Sequence, residues 1–453
     1  MTLPPKPPAR EGRASLPALI RAFRRDILSA LPERLYRAKM ADFRTPFFRS
    51  CLINEPALWR LVLNERPRDF PKSNRIRAGL EPLLGRSVFV TNGAEWERQR
   101  RIIDPAFEGG RLRDTFPAML AAGEGAVARL EAAAAQGPVE VEEAMSHAAA
   151  DVIFRTLFSV PIEDATAAEV FRAFRAHQET QPILNLAAFL PLPRWFPRFH
   201  RRATLRTARH IRALITAMTE ARADQITAGT APDDLATKIM TTPDPLDGRP
   251  FETAEMVDQV AIFFLAGHET SASALAWTLW LIADDADLQD RLAEEAETVL
   301  GATPDFTAAN RLKRARDTFR EALRLYPPVP MMVRETTRPE RFRDRPLKPG
   351  TQIVISPWHL GRHERLWSEP DAFCPHRWQT QEGREAAREG FIPFSSGPRV
   401  CTGAGFAMLE GPLLLAMLAR HFRFTPLPGH IPEPVAHLTV RARNGIHLSV
   451  SKR

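Results

Sequence analysis

The chain has 453 residues, of which 44% are hydrophobic and 26% are charged. These values are typical of a globular protein with a large core and exclude a mainly disordered or collagen-like chain. Three cysteines are too few and too scattered for a disulfide framework, which favours a reducing, cytoplasmic location. The sequence contains no apolar run of about 18 residues, so it predicts no membrane-spanning helix.

The formal net charge of +8 is concentrated at the N-terminus. Residues 1–50 contain eleven Lys or Arg and four Asp or Glu, so the rest of the chain is almost neutral. A basic arm on a neutral body argues against a nucleic-acid-binding groove. We expect residues 1–15 to be disordered. Residues 15–40 should form a basic amphipathic helix, broken near Pro32, that packs on the body or lies on a membrane surface.

Apolar periodicity predicts helices over most of the remaining chain. The predicted helices are 110–136, 141–157, 167–177, 201–228, 254–283, 286–300, 308–326 and 406–418. Strands are expected at residues 352–356 and in a hairpin at 438–450, whose turn is Asn444-Gly445. The fold class is therefore mainly α with small β-sheets. We divide the chain into a basic arm with its amphipathic helix (1–45) and one large domain (46–453).

The helix predicted for residues 254–283 is the longest, at about 45 Å, with Thr253 as its N-cap. One of its faces carries Phe263, Ala266, Gly267, Thr270 and Ala274. Small residues at mid-helix indicate that another group approaches the backbone closely. Next to that approach, Glu269 and Thr270 place a proton-exchanging acid beside a hydroxyl. His268 is interpreted as a packed helix residue and not as a ligand.

Near the C-terminus, Cys401 lies in a loop with Gly and Pro ahead of the helix predicted for 406–418. The start of that helix and the nearby Arg399 favour the thiolate form. Because no His or Cys stands at zinc-ligand spacing from Cys401, a structural zinc site is not indicated. Haem iron, in contrast, needs only one protein ligand, so a single cysteine suffices.

Four motifs resemble those of the cytochrome P450 family, in the family's order. The FxxGxRxCxG signature is matched by Phe394, Gly397, Arg399, Cys401 and Gly403. Residues 96–100 resemble the WxxxR element, residues 266–270 the acid–alcohol stretch of the long distal helix, and residues 321–324 the ExxR motif. These marks span about residues 85 to 450, so the resemblance covers nearly the whole chain.

The resemblance implies a haem-thiolate monooxygenase, which inserts one oxygen atom from O2 into an apolar substrate such as a fatty acid, a terpenoid or a carotenoid-like molecule. The cofactor would be haem b, with the Cys401 thiolate as axial ligand of the iron. Glu269 and Thr270 would deliver protons during oxygen activation. The residues implied to contact the haem are Trp96, Arg100, Arg334, Phe394 and Arg399.

In the family, the Glu and Arg of ExxR pair with a second Arg behind the haem. Here Glu321 and Arg324 can pair on one helix face. The letters PERF occur literally at residues 339–342, but this segment follows Arg324 too closely. We therefore assign the second Arg to Arg377, which has the family's spacing to the cysteine loop, and treat Arg341 as a coincidental match.

The resemblance also implies an apolar substrate pocket. Its candidate residues are Val88, Phe89, Phe263, Ala266, Val329, Met331 and Met332. The apolar segment Pro182–Pro197 corresponds to the lid near the substrate entrance. It is interpreted as a membrane contact, as a wall for a long lipid-like substrate, or as ordinary core.

About fifty residues follow Cys401, too few for a redox domain. Electrons are therefore expected from a separate ferredoxin or flavodoxin-type protein with its reductase, so that NAD(P)H acts only indirectly. A basic surface would attract an acidic donor, and its residues are Arg98, Arg101, Arg111 and Arg113. These features resemble a bacterial member without a membrane anchor. The alternatives are a haem-thiolate sensor or binding protein and a peroxygenase or isomerase of the same family.

Overall fold

The computed structural model describes residues 3–12, 15–44, 49–180, 200–436 and 438–453. Its helices are α1 (Leu16–Arg25), α2 (Pro56–Arg60), α3 (Asn74–Leu84), α4 (Gly93–Ile103), α5 (Gly109–Ala134), α6 (Val141–Phe158), α7 (Ala165–Thr180), α8 (Arg202–Thr227), α9 (Leu235–Thr241), α10 (Thr253–Ala283), α11 (Ala286–Leu300), α12 (Phe306–Ala309), α13 (Lys313–Leu325), α14 (Pro357–Gly361), α15 (Gln381–Gly390) and α16 (Ala404–His421). Single helical turns lie at Glu33–Tyr36, Leu61–Glu65, Asp104–Phe107, Pro375–Gln379 and Gly397–Arg399. The predicted lid segment Pro182–Pro197 falls outside the described residues.

The strands are short and form small sheets. They are β1 (Met40–Arg44), β2 (Arg49–Ile53), β3 (Val139–Glu140), β4 (Met332–Glu335), β5 (Glu340–Phe342), β6 (Arg345–Leu347), β7 (Gln352–Ile355), β8 (Phe422–Pro426), β9 (Pro434–Ala436), β10 (Val440–Ala442) and β11 (His447–Lys452). One sheet has the order β1-β2-β7-β4, with β2 and β7 parallel, and another has the order β3-β11-β8. Two pairs, β5-β6 and β9-β10, complete the set. The predicted class, mainly α with small sheets, is confirmed.

The long helix α10 runs through the middle of the main core. Most of its residues are buried, and Trp277 near its C-terminal end stacks on Tyr326 at 4.0 Å between ring centroids. The helix begins one residue earlier than predicted, because Glu252 and not Thr253 is the N-cap. The side chain of Glu255 accepts a hydrogen bond from the Glu252 N–H at 3.0 Å, and Glu252 caps Glu255 in return.

The N-terminal arm is ordered where the structure describes it, so the expectation of disorder is wrong for residues 3–12. The Tyr326 hydroxyl donates to the carbonyl of Pro5 at 2.6 Å, and Lys6 forms an ion pair with Asp371. Arg10 exchanges backbone hydrogen bonds with Leu31 and Glu33 at 3.0 and 3.1 Å. Prolines lower the entropy that the arm loses on ordering, which helps it to settle on the body.

The predicted amphipathic helix of residues 15–40 is much shorter than expected, because α1 ends at Arg25. The buried carboxylate of Asp26 accepts hydrogen bonds from the N–H groups of Leu28 and Ser29 at 3.2 and 2.7 Å. It also accepts from the N–H of Ala436 in β9 at 2.8 Å. A side chain that binds the backbone N–H groups just ahead of it competes with helix continuation, so Asp26 ends α1 before Pro32 is reached.

Two further predictions are wrong in detail. The strands around Asn444-Gly445 do not form a hairpin, because β10 pairs with β9 while β11 pairs with β8 and β3. The helix predicted for 308–326 is broken into α12 and α13, because the Glu295 carboxylate of α11 caps the start of α13. It accepts hydrogen bonds from the N–H groups of Arg314 and Ala315 at 2.7 and 2.9 Å. No helix within the described ranges combines the length and apolar character that crossing a bilayer requires.

Candidate active site

Cys401 lies at the end of a tight loop that leads into α16. Its N–H donates to the carbonyl of Phe394 at 2.8 Å, and its carbonyl accepts from the N–H of Ala404 at 3.2 Å. Gly397 has φ +69°, and a Cβ there would lie 2.1 Å from the carbonyl oxygen of Leu63. The glycine of the signature is therefore required because the loop presses against the helical turn Leu61–Glu65.

The Cys401 thiol does not have the low pKa that its position suggested. Burial among neighbouring atoms raises its pKa, although the Gly403 N–H, Arg100 and Lys72 act in the opposite direction. Its side chain is nevertheless accessible to solvent, so the sulfur borders a cleft within the fold. The bare chain therefore holds a thiol, and the thiolate needs a metal cation on the sulfur to stabilise it.

Two arginines flank the ring of Trp96 next to this loop. The guanidinium carbon of Arg399 lies 4.1 Å from the ring centroid and that of Arg100 lies 5.9 Å from it. Arg100 donates to the carboxylate of Asp104 and to the carbonyl of Val400 at 2.8 and 2.7 Å. Arg399 donates instead to two uncharged oxygens just before α4 begins. They are the Thr91 carbonyl at 3.2 Å and the Asn92 side chain at 2.8 Å.

Arg334 and Lys72 add two more cations at the same place, of which Arg334 is buried and Lys72 is half-buried. They face each other in an antiparallel bridge between β4 and the segment ahead of α3. Arg334 is 4% exposed, and the one hydrogen bond of its side chain within the described residues goes to the carbonyl of Val333 at 3.3 Å. The ammonium of Lys72 donates to the carbonyl of Phe89 at 2.6 Å and lies 4.0 Å from the centroid of that ring.

These cations repel one another and have lost their hydration. Burial lowers the pKa of Lys72 well below its usual value, and Arg334, Arg399 and Arg100 lower it further. Burial likewise lowers the pKa of Arg334 to about 10 and that of Arg399 to about 9. Among the described residues, no carboxylate pairs with Lys72, Arg334 or Arg399. Such a cluster calls for anionic groups from outside the chain, and the two propionates of haem fit it.

Lys72 was missed by the sequence analysis. No motif marks it, and its closeness to Arg334 arises from a bridge between segments more than 250 residues apart. Asn92 joins the two sides of the cluster, because it exchanges hydrogen bonds with the backbone of Lys72 at 3.0 and 3.1 Å while accepting from Arg399. Only the tertiary fold brings these groups together.

The centre of α10 presents Thr270 and Ala266 to accessible space. The Thr270 hydroxyl donates to the carbonyl of Ala266 at 2.6 Å, as expected for a helical threonine. The close approach expected at Gly267 is made by a neighbouring helix. A Cβ there would lie 2.4 Å from the side chain of Ile153, so the glycine is needed where α6 packs on α10. His268 is buried against Phe171 and Phe174.

Glu269 faces the C-terminal strands. Its carboxylate accepts hydrogen bonds from the Thr439 hydroxyl at 2.6 Å and from the guanidinium of Arg441 at 2.9 Å. The next residue after Thr270, Ser271, donates to the fully buried Glu410 of α16 at 2.6 Å. Burial raises the pKa of Glu410 to about 8. The sequence analysis overlooked Glu410, although a lone acid in the apolar stretch 408–419 was a visible signal.

Glu321, Arg324 and Arg377 meet in a buried cluster behind the cysteine loop. Glu321 accepts from Arg324 at 2.8 Å and from Arg377 at 2.9 Å. Arg324 also donates to the carbonyls of Gly361 and Pro370, both at 2.6 Å. Arg341, in contrast, is exposed on β5 and does not take part. Arg377 therefore occupies the position that the family's spacing gave it, with His376 beside it at the surface.

The comparison with known proteins agrees with this arrangement. The family model described as Cytochrome P450 matches residues 46–450. The chain belongs to the cytochrome P450 family. Among its relatives, cyclooctatin synthase of Streptomyces melanosporofaciens is 30% identical over 88% of this chain and 84% of that protein. Cyclooctat-9-en-7-ol 5-monooxygenase of the same organism is 30% identical over 94% and 92%. Cytokinin hydroxylase of Arabidopsis thaliana is 30% identical over 82% and 73%. The predicted family and its monooxygenase activity are thus confirmed.

The predicted pocket residues of this cytochrome P450 come from several elements, and two of them, Phe263 and Ala266, belong to α10. Val88 is held by a hydrogen bond from its N–H to the Gln259 side chain at 2.9 Å. Phe263 packs against Phe107 at 5.7 Å between ring centroids. Val329 and Met331 are half-buried, and Met331 packs on the main core. Met332 departs from the set, because its side chain packs with the cluster around the β1-β2-β7-β4 sheet.

The P450 family implies a redox partner, but the basic surface predicted for it is largely neutralised. Arg101 makes a two-pronged ion pair with Asp244 at 2.7 and 2.8 Å. Arg98 pairs with Glu255 at 2.9 Å, and Arg111 lies 3.9 Å from Asp114. Arg113 lies over the ring of Phe306. Paired charges of this kind contribute less to long-range attraction than the sequence alone suggested.

We predict that Arg377→Ala destabilises the protein by about 3 kcal/mol, because it breaks a buried charge cluster. Arg341→Ala should change the free energy of unfolding by less than about 0.5 kcal/mol, because that side chain is exposed. Urea unfolding of both variants measures the difference. Equal effects of the two substitutions would contradict the assignment of Arg377.

We also predict that Lys72→Met accelerates haem release about tenfold, because an anion loses one buried charged partner worth about 1.5–3 kcal/mol. The same substitution should stabilise the haem-extracted protein, because one member of a like-charge cluster is removed. Haem transfer to an excess of a haem-scavenging protein gives the first quantity and urea unfolding the second. Lys238→Met, which removes a lysine paired with Asp114, is the control. Equal haem-release rates in the two variants would contradict a role of Lys72 in holding the haem.

Proposed function

We propose that this protein is a haem-thiolate monooxygenase of apolar compounds in which Cys401 ligates the iron and Lys72, Arg100, Arg334 and Arg399 bind the propionates. The observation that carries the proposal is the group of buried and half-buried cations beside the Cys401 loop, three of which have no carboxylate partner among the described residues. The ring of Trp96 lies close to two of the arginines, Arg399 and Arg100. Phe394, whose carbonyl accepts from the Cys401 N–H, packs against the main core next to the loop.

Haem, when bound, supplies the activation of dioxygen, and the chain supplies position and protons. Thr270 holds its hydroxyl at the accessible face of α10, where it can pass a proton or orient a water. Glu269 is the acid next to it in the sequence, and its hydrogen bonds to Thr439 and Arg441 hold its carboxylate in place. A general acid close to the reacting group contributes about 10²–10⁴-fold in rate.

The pocket supports an apolar substrate. Val88, Phe89, Phe263, Ala266, Val329 and Met331 offer no charged group, so recognition rests on shape and apolar contact. One relative is named for a 5-monooxygenase reaction on cyclooctat-9-en-7-ol, an unsaturated alcohol by its name. A terpenoid or a fatty acid of comparable apolar character is therefore the substrate class that we propose.

Electrons are proposed to come from a separate ferredoxin or flavodoxin-type protein with its reductase, and NAD(P)H acts only through them. Because the arginines near α4 and α5 are largely paired, we expect the donor to rely more on shape and apolar contact than on charge. Val400 next to Cys401 is 38% exposed and offers such a contact. The cytoplasmic location stays a prediction that the free cysteines support.

The test of the haem-thiolate proposal is the carbon monoxide difference spectrum of the reduced protein. We expect a strongly red-shifted Soret band in the wild type and its loss in Cys401→Ala, because only a thiolate ligand gives that shift. Cys374→Ala is the matched control and should leave the band in place, because Cys374 lies half-buried beside Glu321 and not at the cleft. A wild-type band at the position of His-ligated haem would overturn the proposal.

The test of the proton role is Thr270→Ala. We expect the share of electrons recovered in oxygenated product to fall about tenfold or more, with hydrogen peroxide rising to match. Thr278→Ala is the control, because Thr278 makes the same bond to a helix carbonyl, that of Ala274 at 2.6 Å, but is fully buried elsewhere on α10. If the share of electrons recovered in product is equal in the two variants, Thr270 has no part in proton delivery.

A further inference from the structure

Arg441 of β10 lies between two carboxylates on different helices. One of its terminal nitrogens donates to Glu269 of α10 at 2.9 Å, and its Nε lies 3.9 Å from Glu142 in the first turn of α6. The side chains of Glu269 and Glu142 are 7% and 19% exposed, whereas that of Arg441 is 34% exposed. One partly exposed guanidinium group therefore interacts with two carboxylates that are less exposed than the guanidinium itself.

Glu142 is fixed in this position by the backbone. Its carboxylate accepts a hydrogen bond from the N–H of Ala442 at 3.3 Å, which ties α6 to β10. Burial, together with the nearby carboxylates of Glu140 and Glu269 and against the pull of Arg441, raises the pKa of Glu142 to about 7. Glu142 therefore changes its charge near neutral pH.

Other titratable and charged groups also face this cluster. Glu140 of β3 is a cap whose carboxylate accepts from the N–H groups of Glu142, Glu143 and Ile446. Burial lowers the pKa of His268 and of His177, each to about 4, so both rings are neutral. Farther out, Glu143 forms an ion pair with Arg175 of α7.

We propose that Glu142 is a positioning residue for Glu269, with which it competes for the guanidinium of Arg441, so that its charge sets how firmly Glu269 is held. This inference rests on the proposed role of Glu269 in proton delivery. Glu142 acts through Arg441.

The sign of the effect follows from charge balance. When Glu142 is protonated, Arg441 interacts with Glu269 alone and keeps its carboxylate tethered. When Glu142 is ionised, two carboxylates share one cation, so the tether on Glu269 loosens. A general acid contributes only when its side chain can come within hydrogen-bond reach of the group that it protonates. Proton delivery should therefore improve as pH rises through about 7. If delivery depended only on the concentration of free protons, it would become slower as pH rises.

The experiment measures how the reduced haem protein divides dioxygen between hydrogen peroxide and water. No substrate is added, and a surrogate ferredoxin with its reductase supplies electrons from NADPH. One dioxygen takes two electrons and two protons to form hydrogen peroxide, or four electrons and four protons to form two waters. The hydrogen peroxide formed per dioxygen consumed therefore reports proton delivery independently of the turnover rate. It is recorded from pH 6 to pH 8.

In the wild type we expect the water-forming share to rise with pH, following the ionised fraction of Glu142, which grows from about one tenth to about nine tenths over this range. Glu142→Gln can still accept from the Ala442 N–H but cannot ionise, so its water-forming share should stay at the low-pH value or fall. Glu143→Gln is the matched control and should follow the wild type.

Two outcomes would overturn the proposal: a Glu142→Gln profile that coincides with that of the wild type, or a wild-type water-forming share that falls with pH. The carbon monoxide difference spectrum of the same samples separates this failure from failure of the proposed function. If the red-shifted band is present while the profiles coincide, only the role of Glu142 is wrong. If the band is absent, the haem-thiolate proposal fails first.

Discussion

A buried ammonium or guanidinium group loses its hydration, and this protein brings the buried Arg334 and the half-buried Lys72 and Arg399 close together with no carboxylate between them among the described residues. Burial lowers the pKa of each, and neighbouring cations lower that of Lys72 and that of Arg399 further. A fold tolerates such a cluster only when an anion completes it. The segments around it, β4, the approach to α4 and the Cys401 loop, come from distant parts of the chain. Binding of haem would therefore tie them together, which couples cofactor binding to stability.

The polar centre of α10 shows how one helix serves several tasks. Successive residues on a helix point about 100° apart, so Glu269, Thr270 and Ser271 face three different neighbours. Glu269 faces β10, Thr270 faces the accessible side, and Ser271 faces Glu410 on α16. The two sequence neighbours of Thr270 thus each take part in a hydrogen bond to a carboxylate, Glu269 with Thr439 and Arg441 and Ser271 with Glu410. The packing of Ile153 against Gly267 holds α10 close to α6, the helix that carries Glu142.

Local sequence patterns were sufficient to predict most of the helices and the residues of the motifs. The helices over 110–300 end within three residues of their predicted positions, because apolar periodicity and caps are local signals. The motif residues also came together as the resemblance implied, including Arg377 in preference to Arg341. What local pattern could not supply were long-range contacts. Asp26 ends α1 by reaching β9, and Lys72 acquires its role only beside Arg334. The hairpin expected at Asn444-Gly445 failed because β10 found a better partner in β9.

The carboxylate of Asp26 has one further consequence. It holds the N–H of Ala436 in β9, β9 pairs with β10, and Arg441 and Thr439 in and next to β10 hold Glu269. The N-terminal and C-terminal segments of the chain therefore contact each other next to α10. Through β9 and β10, the N-terminal segment helps to hold Glu269 at the centre of that helix. Removing the residues up to and including Asp26 would loosen this support of Glu269. An affinity tag should therefore be added ahead of the intact N-terminal arm and should not replace the arm.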